Sequence, residues 1–269
     1  ALDRGLYLRI ACGLYRKRCV VGGFDRVYDL VKDFRNEGIS MKHNPEFTML
    51  EWYEAYADYE KTASDLEQLV HGVAVEVLGS SSIERDGKSI DLTPPWRRVT
   101  LRDAILEHAG IDIEVETTRE KLAAAMGVEL ESDVGWGKLV DTVFSKRVEP
   151  TLIEPTFILD YPKELSPFAK AHRSKEGVVE RWEAFLGCVE IANSFSELND
   201  EQRRRFEQQA EELARGDDEA QPYDESFIEA LEQGMPPTGG VGLGIDRLVM
   251  MLTGASSLRE VVLFPAMRD

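Results

Sequence analysis

The sequence predicts a mixed α/β fold in which helices flank a sheet, and three observations carry that prediction. Two alternating runs, Arg26-Val27-Tyr28-Asp29-Leu30 and Thr48-Met49-Leu50-Glu51-Trp52-Tyr53, enclose a polar loop with Gly38 and Asn44-Pro45 as turn chemistry. That is the pattern of a long antiparallel hairpin. Near the C-terminus, glycines at 240, 242 and 244 alternate just ahead of Asp246-Arg247, and from Leu243 onward a strand passes into a helix. Between these ends, residues 101–150 read as helical throughout, in the segments 101–109, 118–126 and 136–147.

In chain order, residues 4–19 have apolar positions at roughly helical spacing, and Gly22-Gly23 ends that helix. Arg16-Lys17-Arg18 then falls towards its C-terminal end, where cations suit the dipole. Thr62–Val77 is a second predicted helix, capped by Ser64 or Thr62. Asp86-Gly87 signals a short hairpin and Pro94-Pro95 a break. The segment 101–150, divided by Gly110 and by Gly135-Trp136-Gly137, is expected to be a helical insertion in one domain spanning 1–269. Pro155–Leu159 reads as a short buried strand, and 178–191 as one extended, partly alternating run. Charged helices are predicted over 200–216 and 225–233.

Composition narrows the function. Hydrophobic content of 43% and charged content of 30% over 269 residues are those of a soluble globular protein. No apolar run approaches membrane-spanning length and there is no basic-then-apolar leader, so neither a membrane span nor secretion is expected. Three cysteines, Cys12, Cys19 and Cys188, form no Cys-x-x-Cys pair and fit reduced thiols, giving an expected cytoplasmic location. A net charge of −18 argues against unaided nucleic-acid binding. Residues 1–42 nevertheless hold nine Lys/Arg against five Asp/Glu, so a polyanion would approach that end.

Three constellations carry chemistry. In the hairpin, Arg35 and Glu37 alternate with Phe34 and Asn36, which puts both charges on one strand face. An arginine fork beside a carboxylate and an aromatic, Phe47, suits a phosphate, a base edge and a purine ring. At the C-terminus the alternating glycines leave a strand face bare for a flat ligand, and Arg247 at the start of the following helix can reach a phosphate or stack on a ring. The third set is Glu183, Glu190, Asn193, Phe195 and Glu197. Glu183 and Glu190 are seven apart, an odd separation that needs a bulge or bend near Gly187 before they converge. Converging carboxylates could take Mg²⁺. Asn193, Phe195 and Glu197 alternate, so they share a face.

The string Arg35-Asn36-Glu37-Gly38, followed by His43-Asn44-Pro45-Glu46-Phe47-Thr48-Met49-Leu50-Glu51, resembles motif 2 of the class II aminoacyl-tRNA synthetases in the form found in lysyl-tRNA synthetases. Gly242-Leu243-Gly244-Ile245-Asp246-Arg247 with Leu263-Phe264-Pro265 resembles motif 3 of the same family. The resemblance implies a class II-like mixed, mostly antiparallel sheet flanked by helices. It implies that Arg35, Glu37, His43, Phe47, Gly242, Gly244 and Arg247 bind ATP, that Glu183 and Glu190 hold Mg²⁺, and that Glu51, Tyr53, Asn193, Phe195 and Glu197 bind lysine. Glu197 and Tyr53 would meet the ε-ammonium, with Glu51 near the α-amino group. The implied chemistry is attack of the lysine carboxylate on the α-phosphorus of ATP, promoted by charge neutralisation from Arg35, Arg247 and Mg²⁺ rather than by a protein nucleophile.

The sequence departs from the family at Ala11-Cys12-Gly13-Leu14, where Ala-Pro-Glu-Leu is usual, at Asp29–Asp33, and at Leu186–Ser194. Motif 1 and an anticodon-binding barrel are not found, from which a solitary subunit and weak tRNA charging are expected. Two other readings stand beside lysyl-adenylate formation: a paralogue that lysylates a protein acceptor, and a catalytically impaired ATP-binding fold.

Overall fold

The computed structural model describes residues 8–36, 38–130, 134–199 and 224–266. Runs of strands and runs of helices are interspersed along the chain, and the strand pairings are mostly antiparallel, as expected. The chain divides into two compact units, Ala1–Thr62 with Ser196–Asp269, and Ala63–Phe195.

The first unit is built on the predicted hairpin. Strand β1 (Arg26–Phe34) pairs antiparallel with β2 (Glu46–Ala55) in a register that sets Arg26 opposite Glu54 and Phe34 opposite Glu46. Strand β9 (Thr238–Gly244) lies along the other edge of β2, also antiparallel, with Glu51 opposite Gly242 and Tyr53 opposite Gly240. The strand therefore contains the glycine run and begins before Leu243, and helix α7 (Ile245–Thr253) follows directly. Helix α1 spans Gly13–Val21, shorter than the 4–19 periodicity predicts at its N-terminal end. Ahead of it the backbone runs beside the end of β1: Phe34 N donates to the Arg9 carbonyl at 2.8 Å, and Arg35 Nε to the Ile10 carbonyl at 3.4 Å. That tertiary pairing overrides the local helical spacing. Gly22 caps the helix and Gly23 turns at φ +98°, as the glycine pair predicts. Helix α6 (Glu225–Glu232) is capped by Asp224, whose side chain accepts from Phe227 N; the helix expected over 200–216 lies outside the described residues.

Helix α2 (Tyr59–Leu78) begins three residues before the predicted start. Its cap is Asp58, which accepts from Glu60 N and Lys61 N at 3.1 Å, while the Thr62 hydroxyl donates back to the Tyr59 carbonyl inside the first turn.

The second unit holds the hairpin β3 (Ser82–Arg85) and β4 (Lys88–Asp91), joined by Asp86 and Gly87 at φ +50° and +74°. Strand β5 (Arg97–Thr100) runs parallel to β6 (Thr156–Leu159), and β6 pairs antiparallel with β7 (Arg181–Leu186), which pairs with β8 (Val189–Ser196). The run read as a single strand over 178–191 is thus two strands. Gly187 and Cys188, at φ +57° and +61°, close a two-residue turn between them, and a non-glycine residue in the left-handed region gave no warning of it. The three helices of 101–150 fall where predicted: α3 (Leu101–Ala109), α4 (Arg119–Met126) and α5 (Trp136–Val143). Thr100 and Thr118 cap the first two, and Gly110 and Gly127 end them in the left-handed conformation. Their apolar faces meet in one cluster that includes Leu101, Ile105, Leu122, Val140, Phe144, Ile158 and Phe185. Among the described residues no helix is long and apolar enough to cross a membrane.

Candidate active site

In the first unit, strand pairing decides which predicted residues meet. Directly paired residues of antiparallel strands share a face. One face of this sheet therefore carries Asp29, Val31 and Asp33 from β1, Phe47, Met49, Glu51 and Tyr53 from β2, and Gly240, Gly242 and Gly244 from β9. Glu51 and Tyr53 share a face as predicted. The Cys12 thiol donates to Glu51 Oε2 at 2.9 Å. Tyr53 is buried and hydrogen-bonded to Glu51; burial, then the charges of Glu51 and Glu197, hold its hydroxyl well above the usual tyrosine range. Cys12 is pushed up to about 12 by burial and by Glu51, so it is an inert thiol at neutral pH.

The glycines divide in role. A Cβ at Gly240 would lie 2.3 Å from Glu197 Oε1 and 2.6 Å from Tyr53 Cε1, so this position is bare to admit two of the chain's own side chains. At Gly242 a Cβ would meet Met49 Sδ at 3.4 Å, an ordinary contact, which leaves that floor open. At Gly13 a Cβ would stand 2.5 Å from the Tyr53 hydroxyl, so the tyrosine already fills the space a side chain there would need.

Glu197, just past β8, is 3% exposed and takes the Lys17 ammonium at 2.6 Å. The same Nζ lies 5.6 Å from the centroid of the Tyr53 ring. Burial raises the Glu197 carboxyl and Lys17 opposes that rise. Lys17 was not among the predicted site residues. It stands in the run Arg16-Lys17-Arg18, read from the sequence only as cations suited to a helix C-terminus; Arg16 pairs with Asp29 and Arg18 reaches Asp224 at 3.6 Å.

The predicted nucleotide residues lie at the open end of the hairpin. Arg35 follows the last residue of β1 rather than lying within the strand, and its guanidinium stacks 5.3 Å from the Phe47 ring centroid. Glu37 lies outside the described residues, so the shared face expected of Arg35 and Glu37 is not described. His43 Nδ1 is 2.8 Å from the Ser40 hydroxyl, within a loop held by Ser40 N donating to the His43 carbonyl. Helix α7 fixes this loop: Thr48 N donates to Asp246 Oδ2 at 2.7 Å and Arg247 Nε to the Lys42 carbonyl at 3.3 Å. Arg247 thus stands at a helix start beside the loop that carries His43.

In the second unit, Glu183 lies on β7 and Glu190 on β8. The register shifts between Ala184 and Phe185, so the bulge lies within the strands while Gly187 makes the turn. Glu183 Oε1 accepts from Arg181 Nη2 at 2.5 Å and Oε2 from the Tyr161 hydroxyl at 2.8 Å. Burial and the charge of Glu190 push the Glu183 carboxyl up, against Arg181. Two neighbouring carboxylates fit a Mg²⁺ that draws its other ligands from water and phosphate, and each Glu183 oxygen retains a lone pair for it. Among the described residues no group of three or more His, Cys, Asp or Glu could hold a metal by itself. Asn193 lies opposite Glu183 and accepts from Arg181 Nε at 3.2 Å. Phe195 is half-buried and packs against the helical core.

The first unit thus offers a three-stranded, glycine-floored face with an arginine at a helix start and an arginine stacked on an aromatic at its open end. A model of the family described as tRNA synthetases class II (D, K and N) matches residues 2–268, and the chain belongs to that family. Within it, the chain is 52% identical to the lysine–tRNA ligase of Pelotomaculum thermopropionicum, covering 100% of this chain and 54% of the relative. It is 54% identical to the lysine–tRNA ligase of Thermosynechococcus vestitus, covering 99% and 54%, and 50% identical to that of Clostridium perfringens, covering 100% and 55%. The chain spans about half the length of the curated relatives it matches.

Proposed function

We propose that this chain is a lysyl-tRNA synthetase catalytic domain, with 101–150 as its helical insertion, that activates lysine with ATP. One observation carries the proposal. A primary ammonium on a flexible four-carbon stem, that of Lys17, is already seated on the buried Glu197 beside Tyr53. A pocket that accepts this group from the chain has the charge and acceptors that a free lysine side chain requires, since a desolvated ammonium demands a carboxylate partner. Substrate lysine would take this seat from Lys17, with Glu51 near its α-amino group.

In the reaction a lysine carboxylate oxygen attacks the α-phosphorus of ATP in line. The bond from that phosphorus to the bridging oxygen breaks, and pyrophosphate leaves with the electron pair. Arg35 and Arg247 bind phosphate oxygens and offset the charge that develops on them. Phe47 and the floor at Gly242 and Gly244 hold the adenosine, with Glu37 on the base edge and His43 on the phosphates. Glu183 and Glu190 would hold a Mg²⁺, which when bound would supply further charge neutralisation. No side chain forms a covalent intermediate. Transfer of the lysyl group to tRNA is proposed from the names of the relatives, and a cytoplasmic location from the free cysteines.

A second reading, nucleotide binding without chemistry, is favoured by Lys17 itself, because its ammonium holds the substrate's seat. Lysine-dependent ATP–pyrophosphate exchange with Mg²⁺ separates the two. The proposal expects exchange that requires lysine and falls about 100-fold or more in Arg247→Ala. ATP binding without exchange above that variant would overturn it in favour of the second reading.

A further inference from the structure

Asp33 is the least satisfied charged group of the sheet face. It is 0% exposed, and among the described residues neither carboxylate oxygen has a hydrogen-bond partner. A buried carboxylate in that condition strongly disfavours the fold that holds it unless something supplies donors. Its pairing with Phe47 places it on the face that carries Met49, Glu51 and Tyr53. Two observations tie it to Glu51. Glu51 is the anion with the largest influence on Asp33, and Asp33 also acts on Cys12, whose thiol bonds Glu51. The cations that reach Asp33 are Arg35 and Arg9, and they act on it less strongly than Glu51 does.

The face carries three carboxylates; Asp29 is paired with Arg16, and the other two have contrasting surroundings. Glu51 already accepts from Cys12 and Tyr53, whereas Asp33 accepts from nothing. The missing component is a compact cation with several N–H donors that can serve both. A primary ammonium, with three donors and no acceptor, matches that deficit. Guanidinium groups are already committed nearby, Arg35 on Phe47 and Arg16 on Asp29. The Lys17 ammonium is likewise engaged, on Glu197.

We infer that Asp33 is a second carboxylate for the α-ammonium of the amino-acid substrate, on the same sheet face as Glu51. The inference rests on the lysine-activating reading above and adds a residue that fixes how the amino acid is oriented. Lysine would be gripped at both ends by buried anions: Glu197 at the ε-ammonium, and Glu51 with Asp33 at the α-ammonium. A competing role is that Asp33 only orients Arg35, in which case its loss would be felt by ATP.

The test is titration calorimetry of the wild-type chain and Asp33→Asn with lysine, 6-aminohexanoate and ATP. 6-Aminohexanoate keeps the carboxylate and the ε-ammonium but lacks the α-ammonium. Lysine affinity is expected to fall about tenfold or more in the variant, with 6-aminohexanoate and ATP each changed by less than about twofold. Equal losses for both amino acids, a loss for ATP alone, or an unchanged lysine affinity would each overturn the assignment. A wild-type chain that binds no lysine would overturn the functional reading and the assignment together. Lysine binding that Asp33→Asn leaves intact sinks the assignment alone.

Thermal unfolding gives a second readout. Burial and then Glu51 push the Asp33 carboxyl up to about 6 from an ordinary 3.8, with Arg35 and Arg9 opposing. The folded value lies above the unfolded one, so the stability associated with this group is present below about pH 4 and is lost as pH rises through about 6. Asp33→Asn carries no such loss. Without ligand its midpoint should exceed the wild type's at about pH 7.5 and match it near pH 4, and added lysine should narrow the gap at the higher pH. A variant less stable than wild type at pH 7.5 would overturn the inference, because Asp33 would then be a satisfied structural group.

Discussion

The helical core of the second unit and the sheet face of the first are both buried, but they follow opposite rules. In the helical core, burial, capping and turn chemistry agree: Ile105, Leu122, Val140 and Phe144 bury only carbon, and α3 and α4 each start at a threonine cap and end at a glycine. Local preference and tertiary packing point the same way there, which is how a sequence specifies a stable fold. The sheet face buries Asp33, Tyr53 and Glu197 in one small region, and each is held away from its ordinary titration range. Charges kept out of water disfavour folding unless they are paired. The contrast teaches that this molecule stores its stability in one place and its capacity to bind in the other.

Two substitutions sharpen that contrast. Ile105→Ala should have the larger effect on stability, removing about 4 kcal/mol through lost burial and a cavity, because Ile105 is fully buried in a close-packed cluster. Denaturant unfolding would register that loss, while lysine-dependent exchange by the protein that remains folded should be unchanged. A loss of exchange in step with each folded molecule would break the division of labour. Lys17→Met should remove about 2 kcal/mol, by leaving Glu197 buried without its counter-ion while keeping the hydrophobic stem. Adding Glu197→Leu should restore most of it, since an apolar pair has no unmet charge. Failure of the double variant to recover would show that Lys17 acts through packing on Tyr53 rather than through the ion pair.

Much of this architecture is legible in the sequence, for reasons that differ between the units. Asp86-Gly87 announces a tight hairpin because both positions need positive φ, and Gly110 marks the end of α3 for the same reason. The turn at Gly187-Cys188 was not legible, since cysteine rarely adopts that conformation, and two strands were therefore read as one. The start of α1 was misplaced because residues 8–12 carry helical spacing while their backbone is drawn to the end of β1.

At the site, Glu51 and Tyr53 follow directly from strand alternation, and Arg35 and Phe47 from the loop that joins the hairpin. Asp33 and Lys17 were missed because an acid in an alternating strand and a lysine in a basic run each look solvated. A signal for Asp33 did exist. Carrying the hairpin register from the loop puts Asp29 and Asp33 on the face of Glu51, so that three acids share a side where an outward face would be expected. For Lys17 no local signal exists, because its partner is 180 residues away and depends on where the chain returns.

The central claim is that the buried Glu197 and Tyr53 form a seat for a substrate ammonium. Equilibrium binding of lysine and of norleucine, which has a similar stem without the ε-ammonium, tests it most directly. The account predicts that lysine binds at least about 100-fold more tightly, the scale expected when a buried anion loses its partner, and that Glu197→Gln removes most of that preference. Equal affinities, or a preference that survives Glu197→Gln, would contradict it.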